Sequence, residues 1–292
     1  MNAPGGGFDA YSRGVAHIME KNHLPDGVNI IVKNVAGAGG RTGANLLARS
    51  KPDGYTIGLT DMEKLVGTQL VLGTSYDMRD FTFIGQISRS INGVCVSADS
   101  PWNNIDDIKA AALAKEGGLL VPADEPSPPD ILPLRELGIP FRFILGYDGS
   151  AAAIASVLAG EGDLCGYPIT SMLPWVKSGD LKPIFVLDSE PDPFYEELGL
   201  DVPTISDLGY PELAVLGGPR LVAMPPETPS EIASYFEKVL MQTLQDPELI
   251  EWSVKAERNL IPGDAAYALE AMEKTLALYD KYKDDIAEYY QG

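Results

Sequence analysis

The chain has 292 residues, 45% of them hydrophobic and 22% charged, with a net charge of -20 and an isoelectric point near 4.4. That length accommodates two lobes of ordinary size, and the mix is that of a globular protein. A surface this acidic repels phosphate backbones, which argues against nucleic acid as a partner. There is no run of ~18 apolar residues of the kind that spans a membrane, and no signal peptide is recognised.

The first element is the glycine loop APGGGFD, followed by a helix that Asp9 can cap, with Tyr11, Val15, Ile18 and Met19 at helical spacing. VNIIVKN, Val28–Asn34, reads as a buried strand rich in β-branched residues. A second glycine loop runs to Gly40, then a helix from about Thr42 to Arg49, a turn at Lys51–Gly54 and a strand at Tyr55–Thr60. This alternation of helix and strand is α/β wiring with a parallel sheet, in which loops leaving the strand carboxyl ends form the binding crevice.

Strands follow at Phe81–Ile87 and Gly93–Ala98, then a helix capped by Asn104 with Asp106 and Asp107 in its first turn. Gly118–Ala123 and Phe141–Tyr147 read as strands with a short helix near Ile131–Leu137. A helix begins at the Gly-Ser of GSAAAIASVLAGEGDL. Leu164–Pro168 and Leu181–Asp188 are strands flanking a helix near Ser171–Lys177, so the middle of the chain is a second βα series and a second lobe. Val215–Pro225 is a last strand. The rest is helical: one to Thr243 capped by Thr228 or Ser230, a short one at Pro247–Glu257 and a long one at Pro262–Ile286. This tail is expected to pack on the first lobe. The division is then 1–98 plus 219–292 as lobe one and 99–218 as lobe two, with paired crossings acting as a hinge.

Cys95 and Cys165 lie in apolar, strand-like surroundings and read as buried free thiols, with a disulfide left open by their spacing. The two histidines, His17 and His23, have no partner at metal-ligand spacing. No nucleophile–base pair is recognisable, so the chain reads as a non-enzyme with no metal and no cofactor.

Several loops have the design of a binding site. Gly5–Asp9 and Gly37–Gly43 place glycines, which let a backbone approach a ligand closely, before helices whose first N–H groups are unpaired. Such a place suits an anion. In the second series, Asp148-Gly149-Ser150-Ala151 starts a helix directly after a strand with Tyr147 beside it, and Ser127 in ADEPSPPD stands where it could cap the helix beginning at Pro128 or Pro129. Simple turns and caps explain each loop as well. The dinucleotide fingerprint G-x-G-x-x-G would need glycine at Thr42, and the acid that would serve it is Asp61, so a nucleotide-dependent enzyme is the weaker alternative. A ligand-sensing module is another.

These segments, in order, resemble a known family. APGGGFD, VKNVAGAGGRTGANLLARSKPDGYTIGL, FTFIGQI, GYDGSAAAIASVLAGEGDL, VPTISDLG and LVAMPPETPSEI are similar to the substrate-binding proteins of tripartite tricarboxylate transporters, the Bug or TctC family. The resemblance runs over nearly the whole chain, and the second glycine loop with its RSKPDGYT tail is its most specific part. It implies an α/β, two-lobed, type II-like periplasmic binding protein with a hinged inter-lobe cleft. It implies a monomer that captures a small organic carboxylate and hands it to membrane transporter subunits. Carried onto this chain, the lobe-one contacts fall on Gly6, Gly7, Phe8, Asp9, Ala38, Gly39, Gly40, Arg41 and Thr42. The lobe-two contacts fall on Ser127, Tyr147, Gly149, Ser150, Ala151 and Tyr167.

The chain also departs from that family. Only Met1–Ala3 precede the first glycine loop where members carry a full strand, so lobe one is expected to lack a strand segment. Asp61 and Asp148 stand where members carry neutral or basic residues, and ADEPSPPD lacks the family's histidine. Acids at Asp61, Asp124, Glu125 and Asp148 would repel a second carboxylate by roughly 1 kcal/mol or more at contact. The expectation is therefore one carboxylate end held near Arg41 and a neutral or cationic end facing lobe two.

Overall fold

The computed structural model describes residues 7–35, 37, 40–123 and 126–290. In chain order the elements are α1 (Gly7–Ile18), α2 (Arg41–Ala48), β1 (Gly58–Asp61), α3 (Met62–Leu72), β2 (Thr82–Arg89), β3 (Asn92–Ser97), α4 (Ile105–Ala114), β4 (Leu119–Ala123), α5 (Pro128–Glu136) and β5 (Phe141–Leu145). They continue as α6 (Gly149–Leu158), β6 (Cys165–Pro168), α7 (Ile169–Ser178), β7 (Leu181–Val186), α8 (Pro193–Glu197), β8 (Pro219–Met224), α9 (Ser230–Leu244), α10 (Pro247–Lys255), α11 (Ala265–Lys281) and α12 (Lys283–Tyr290). Contacts divide the chain into two compact units, 1–89 with 218–280 and 90–217 with 281–292.

The first unit is built on the sheet β1-β8-β2, with β8 antiparallel to both neighbours. The apolar face of α1 explains why it packs there: Tyr11, Val15 and Ile18, with Met19 just past its end, are all buried, in one cluster with Ile84, Ile87, Val222, Leu240 and Leu249. Each Leu, Ile or Val of such a cluster contributes roughly 1.5–3 kcal/mol by leaving water. Helices α3 and α10 begin at aspartates that accept first-turn N–H groups, Asp61 from Lys64 and Asp246 from Glu248.

The second unit is built on β6-β3-β7, again with the middle strand antiparallel, and on a separate parallel pair β4-β5. Asn104 caps α4 by accepting the Asp107 N–H at 3.0 Å. Cys95 and Cys165 are direct partners in the β3–β6 register, both buried and both free thiols.

Four features differ from the sequence reading. Among the described strands the parallel wiring holds for the ladder β4-β5 alone, with one isolated parallel bridge from Val186 to Thr204. Strands β2 and β3 are joined through Ser90 and Ile91 with no intervening helix, and they enter different sheets, so β3 and β8 run against their neighbours. β3 pairs with β6 and β7, which puts it in the second unit, while the sequence reading kept residues up to 98 in the first lobe. The long terminal helix is two helices, and α12 belongs to the second unit: Tyr289 stacks on Phe141 at 5.4 Å, and Arg135 pairs with Asp285 and Glu288. Finally, Val28–Asn34 forms no ladder among the described residues, and the strand expected at Tyr55–Thr60 begins at Gly58. Ile31 is 77% exposed and Tyr55 92% exposed, because β1 is laddered to β8 and no second partner for it is present among the described strands.

Candidate functional site

In the first unit, α1 starts at Gly7 in the first glycine loop. Phe8 follows, then Asp9, which is buried and ion-paired to Arg13 one turn on at 2.9 Å. Arg13 also donates to Asn34 Oδ1 at 3.1 Å, which ties α1 to the segment leading into the second loop. That loop enters α2 through Gly40, whose φ of +90° is a left-handed conformation that a residue with a Cβ adopts at a cost. Gly40, as the N-cap of α2, offers no side-chain cap. A helix start without a side-chain cap suits an acceptor. Arg41 at its first position is half-buried, and its charge favours the ionised form of Tyr76, whose phenol burial nonetheless pushes up. Thr42 is exposed. Gly6, Ala38 and Gly39 lie outside the described residues, as do Asp124 and Glu125.

Asp61 is the N-cap of α3 and the register partner of Arg220 across β1–β8. Its carboxylate is thus set beside a cation, which offsets the repulsion expected from it in the sequence reading. Arg220 itself went unnoticed there. It is 7% exposed in a strand whose every residue is buried. Its guanidinium carbon lies 5.2 Å from the Phe8 ring centre and 5.0 Å from that of Tyr11. Its Nη1 donates to Ser88 Oγ at 3.5 Å, Ser88 donates to Tyr11 Oη at 3.0 Å, and Tyr11 donates to the Asn259 carbonyl at 2.7 Å, with Ser88 Oγ itself 2.8 Å from that carbonyl. Burial pulls the Arg220 pKa below the usual guanidinium value, while Tyr11, Asp61 and Glu63 act the other way. The group stays charged, as arginine does in proteins. The signal that could have found it is a lone charge inside the apolar run PRLVAM.

In the second unit, Ser127 stands at the N-cap of α5, but its hydroxyl donates to Asp130 Oδ2 at 2.5 Å rather than capping a backbone N–H. Asp148 stands at the N-cap of α6, makes no side-chain cap there and is exposed. The turn passes through Gly149 at φ +78°, with Ser150 half-buried and Ala151 exposed in the first turn. Tyr147 is half-buried beside it. Tyr167 is buried on β6, its hydroxyl 3.5 Å from the Pro122 carbonyl. Among the described residues, no three His, Cys, Asp or Glu side chains are placed to hold a metal ion, and no helix is long and apolar enough to cross a membrane.

Two helices of this chain thus begin at a left-handed glycine with no side-chain cap, a feature that suits an acceptor ligand without naming one. The family model described as the tripartite tricarboxylate transporter family receptor, TctC, matches residues 12–275. The chain belongs to this family. A relative similar to it is Protein BugT of Bordetella pertussis, 26% identical over 267 residues that cover 85% of this chain and 76% of that protein. Among solved structures, a TctC solute binding protein from Polaromonas, solved without ligand, superposes with a TM-score of 0.81 at 23% identity, covering 97% of this chain and 95% of that one. MatC from Rhodopseudomonas palustris, with bound malate, gives a TM-score of 0.73 at 18% identity over 98% and 96% of the two chains. The fold is that of the two-lobed α/β periplasmic binding proteins, and the TctC family is a family of solute-binding receptors.

Proposed function

We propose that the chain is an extracytoplasmic, periplasmic solute-binding protein that captures a small organic acid and delivers it to the membrane subunits of a tripartite tricarboxylate-type transporter. It acts as a monomer and catalyses no reaction. The observation that carries the reading is the start of α2: a left-handed Gly40, no side-chain cap, and Arg41 at the first helical position. A helix start without a side-chain cap, its dipole and a cation together favour a carboxylate. The malate held by MatC is a ligand of that chemistry.

In this reading Gly6–Asp9 and Ala38–Thr42 receive one carboxylate, with Asp61 nearby. Ser127, Tyr147, Gly149–Ala151 and Tyr167 meet the remainder of the ligand. The exposed Asp148 disfavours a second negative charge at that end, so an amino acid, an aromatic acid or an amide fits better than a tricarboxylate. Native mass spectrometry of the protein as purified, followed by release and identification of any bound small molecule, tests the reading. A released carboxylate supports it. A released nicotinamide nucleotide would return the Gly37–Gly43 loop to the dinucleotide alternative.

A further inference from the structure

Two guanidinium groups of the first unit converge on one helix start. A Cβ built on Gly7, the first residue of the twelve-residue helix α1, lies 3.8 Å from Nη2 of Arg220 and 3.8 Å from Nη1 of Arg258. Arg220 is more than nine-tenths buried, and its Nε has no hydrogen-bond partner among the described residues. Two like charges brought together at the positive end of a helix repel one another and the dipole, and an unpartnered buried donor adds a desolvation cost. The nearest acid of α1, Asp9, is engaged by Arg13. Asp61 and Glu63 act on Arg220 from β1 and α3, but Asp61 caps α3 and Glu63 accepts the Gly218 N–H at 2.9 Å.

The remedy for such an arrangement is an anion. A planar carboxylate accepts from a guanidinium fork and from first-turn N–H groups at once, which is the geometry in which charge-assisted hydrogen bonds are strongest. Phe8 and Tyr11 pack against the Arg220 guanidinium and, with the Ser88–Tyr11–Asn259 network, fix its orientation. Asn259 follows Arg258 in sequence, so the same network anchors the segment carrying the second cation. A preset cation loses little freedom when it binds.

We propose that Arg220 and Arg258, with the first turn of α1, form the direct carboxylate-binding site of the first unit and set its preference for a carboxylate over a neutral isostere. This rests on the solute-binding reading above and replaces Arg41 as the principal counter-ion in it. The cations are supplied from β8 and from the segment after α10, far in sequence from the glycine loops.

The test is 15N NMR of the full chain, following the Arg Nε–Hε and glycine-loop amide signals during titration with acetate, malate and acetamide. The proposal expects the Arg220 and Arg258 signals and the Gly7 and Phe8 amides to move on one saturable isotherm with acetate and with malate. Acetamide should leave them in place. Arg258→Gln, at a half-buried position that tolerates the change, should weaken malate by roughly 10- to 100-fold, the loss typical of a charge-assisted hydrogen bond. Arg220→Lys, which keeps the charge but not the fork, should weaken it as well, and NMR dispersion reports whether either variant is folded. Malate bound at Gly40 and Arg41 with the Arg220 and Arg258 signals unmoved would overturn the proposal and leave the solute-binding reading standing. No carboxylate-dependent shift anywhere in the chain would remove both.

Discussion

The Arg220 guanidinium carbon lies 5.0 Å from the centre of the Tyr11 ring, so a cation on a fully buried strand packs against an aromatic side chain of the first helix. Such a cation is a poor investment for stability alone, because desolvating a guanidinium costs several kcal/mol that its partners seldom return in full. Arg220→Met keeps much of the packing volume and removes the charge. Its unfolding free energy in urea should fall within about 1 kcal/mol of the parent or above it, while carboxylate binding is lost. A loss of 3 kcal/mol or more would show Arg220 to be structural.

Ser88 should behave in the opposite way. Its hydroxyl donates within the buried group formed by Tyr11 and Asn259 and accepts from Arg220. Ser88→Ala leaves buried partners short of a hydrogen bond and should cost about 1–3 kcal/mol in the same urea experiment. An unchanged midpoint would mean the network relaxes without it.

The Gly40 conformation gives a test of the second loop. Gly40→Ala forces a Cβ into the left-handed region at φ +90° and should destabilise by about 1–2 kcal/mol. Gly27→Ala, at φ +86° with nothing within 4 Å, carries a comparable backbone strain away from the loop. Melting temperature should drop in both variants, but malate affinity should drop in the Gly40 variant alone. Equal loss of affinity in the two would mean that the loop matters only through stability.

Much of the helical structure was legible because its signals are local. The Tyr11, Val15, Ile18 and Met19 spacing gives α1 and its buried face, glycine before a helical pattern gives the start of α2, and Asn104 three residues before Asp107 gives the cap of α4. What escaped is non-local. Val28–Asn34 has the composition of a strand, but a strand exists only when another backbone offers it a ladder. Arg220 reads as one charge in an apolar run, and its value depends on Phe8, Tyr11 and Arg258, which no spacing links to it. The loop candidates were found by the glycines, whereas the cations beside them needed three dimensions. The break between α11 and α12 follows the same rule, since α12 is drawn to the second unit by Arg135 and Phe141.

Acid sensitivity is predicted at Asp246. Its carboxyl accepts from the Asn22 amide, from the Glu248 N–H and from His23, and these bonds, the Asn22 one foremost, hold it below the usual carboxylate range. A depressed folded-state pKa contributes stability that is present above the unfolded value of about 3.9 and is lost as pH falls through the lower folded value. Asp246→Asn should therefore flatten the acid limb of a melting-temperature profile below about pH 4. An unchanged limb would assign the acid loss to other carboxylates.

The thiols should be silent. Burial pushes Cys95 up to about 12 and raises Cys165 as well, so thiolate is scarce at pH near 8 and reagent has no access. A thiol-specific reagent should label neither cysteine in the folded protein and both after unfolding. Fast labelling of the folded protein would contradict the packing of β3 on β6.

The measurement that bears most directly on the central claim is a thermal-shift series of the intact chain against malate, acetate, an aromatic acid, an amino acid and NAD(P). A ligand that binds only the native state raises the melting temperature. The account predicts a concentration-dependent rise with a carboxylate and none with NAD(P). A rise with NAD(P) alone would contradict it.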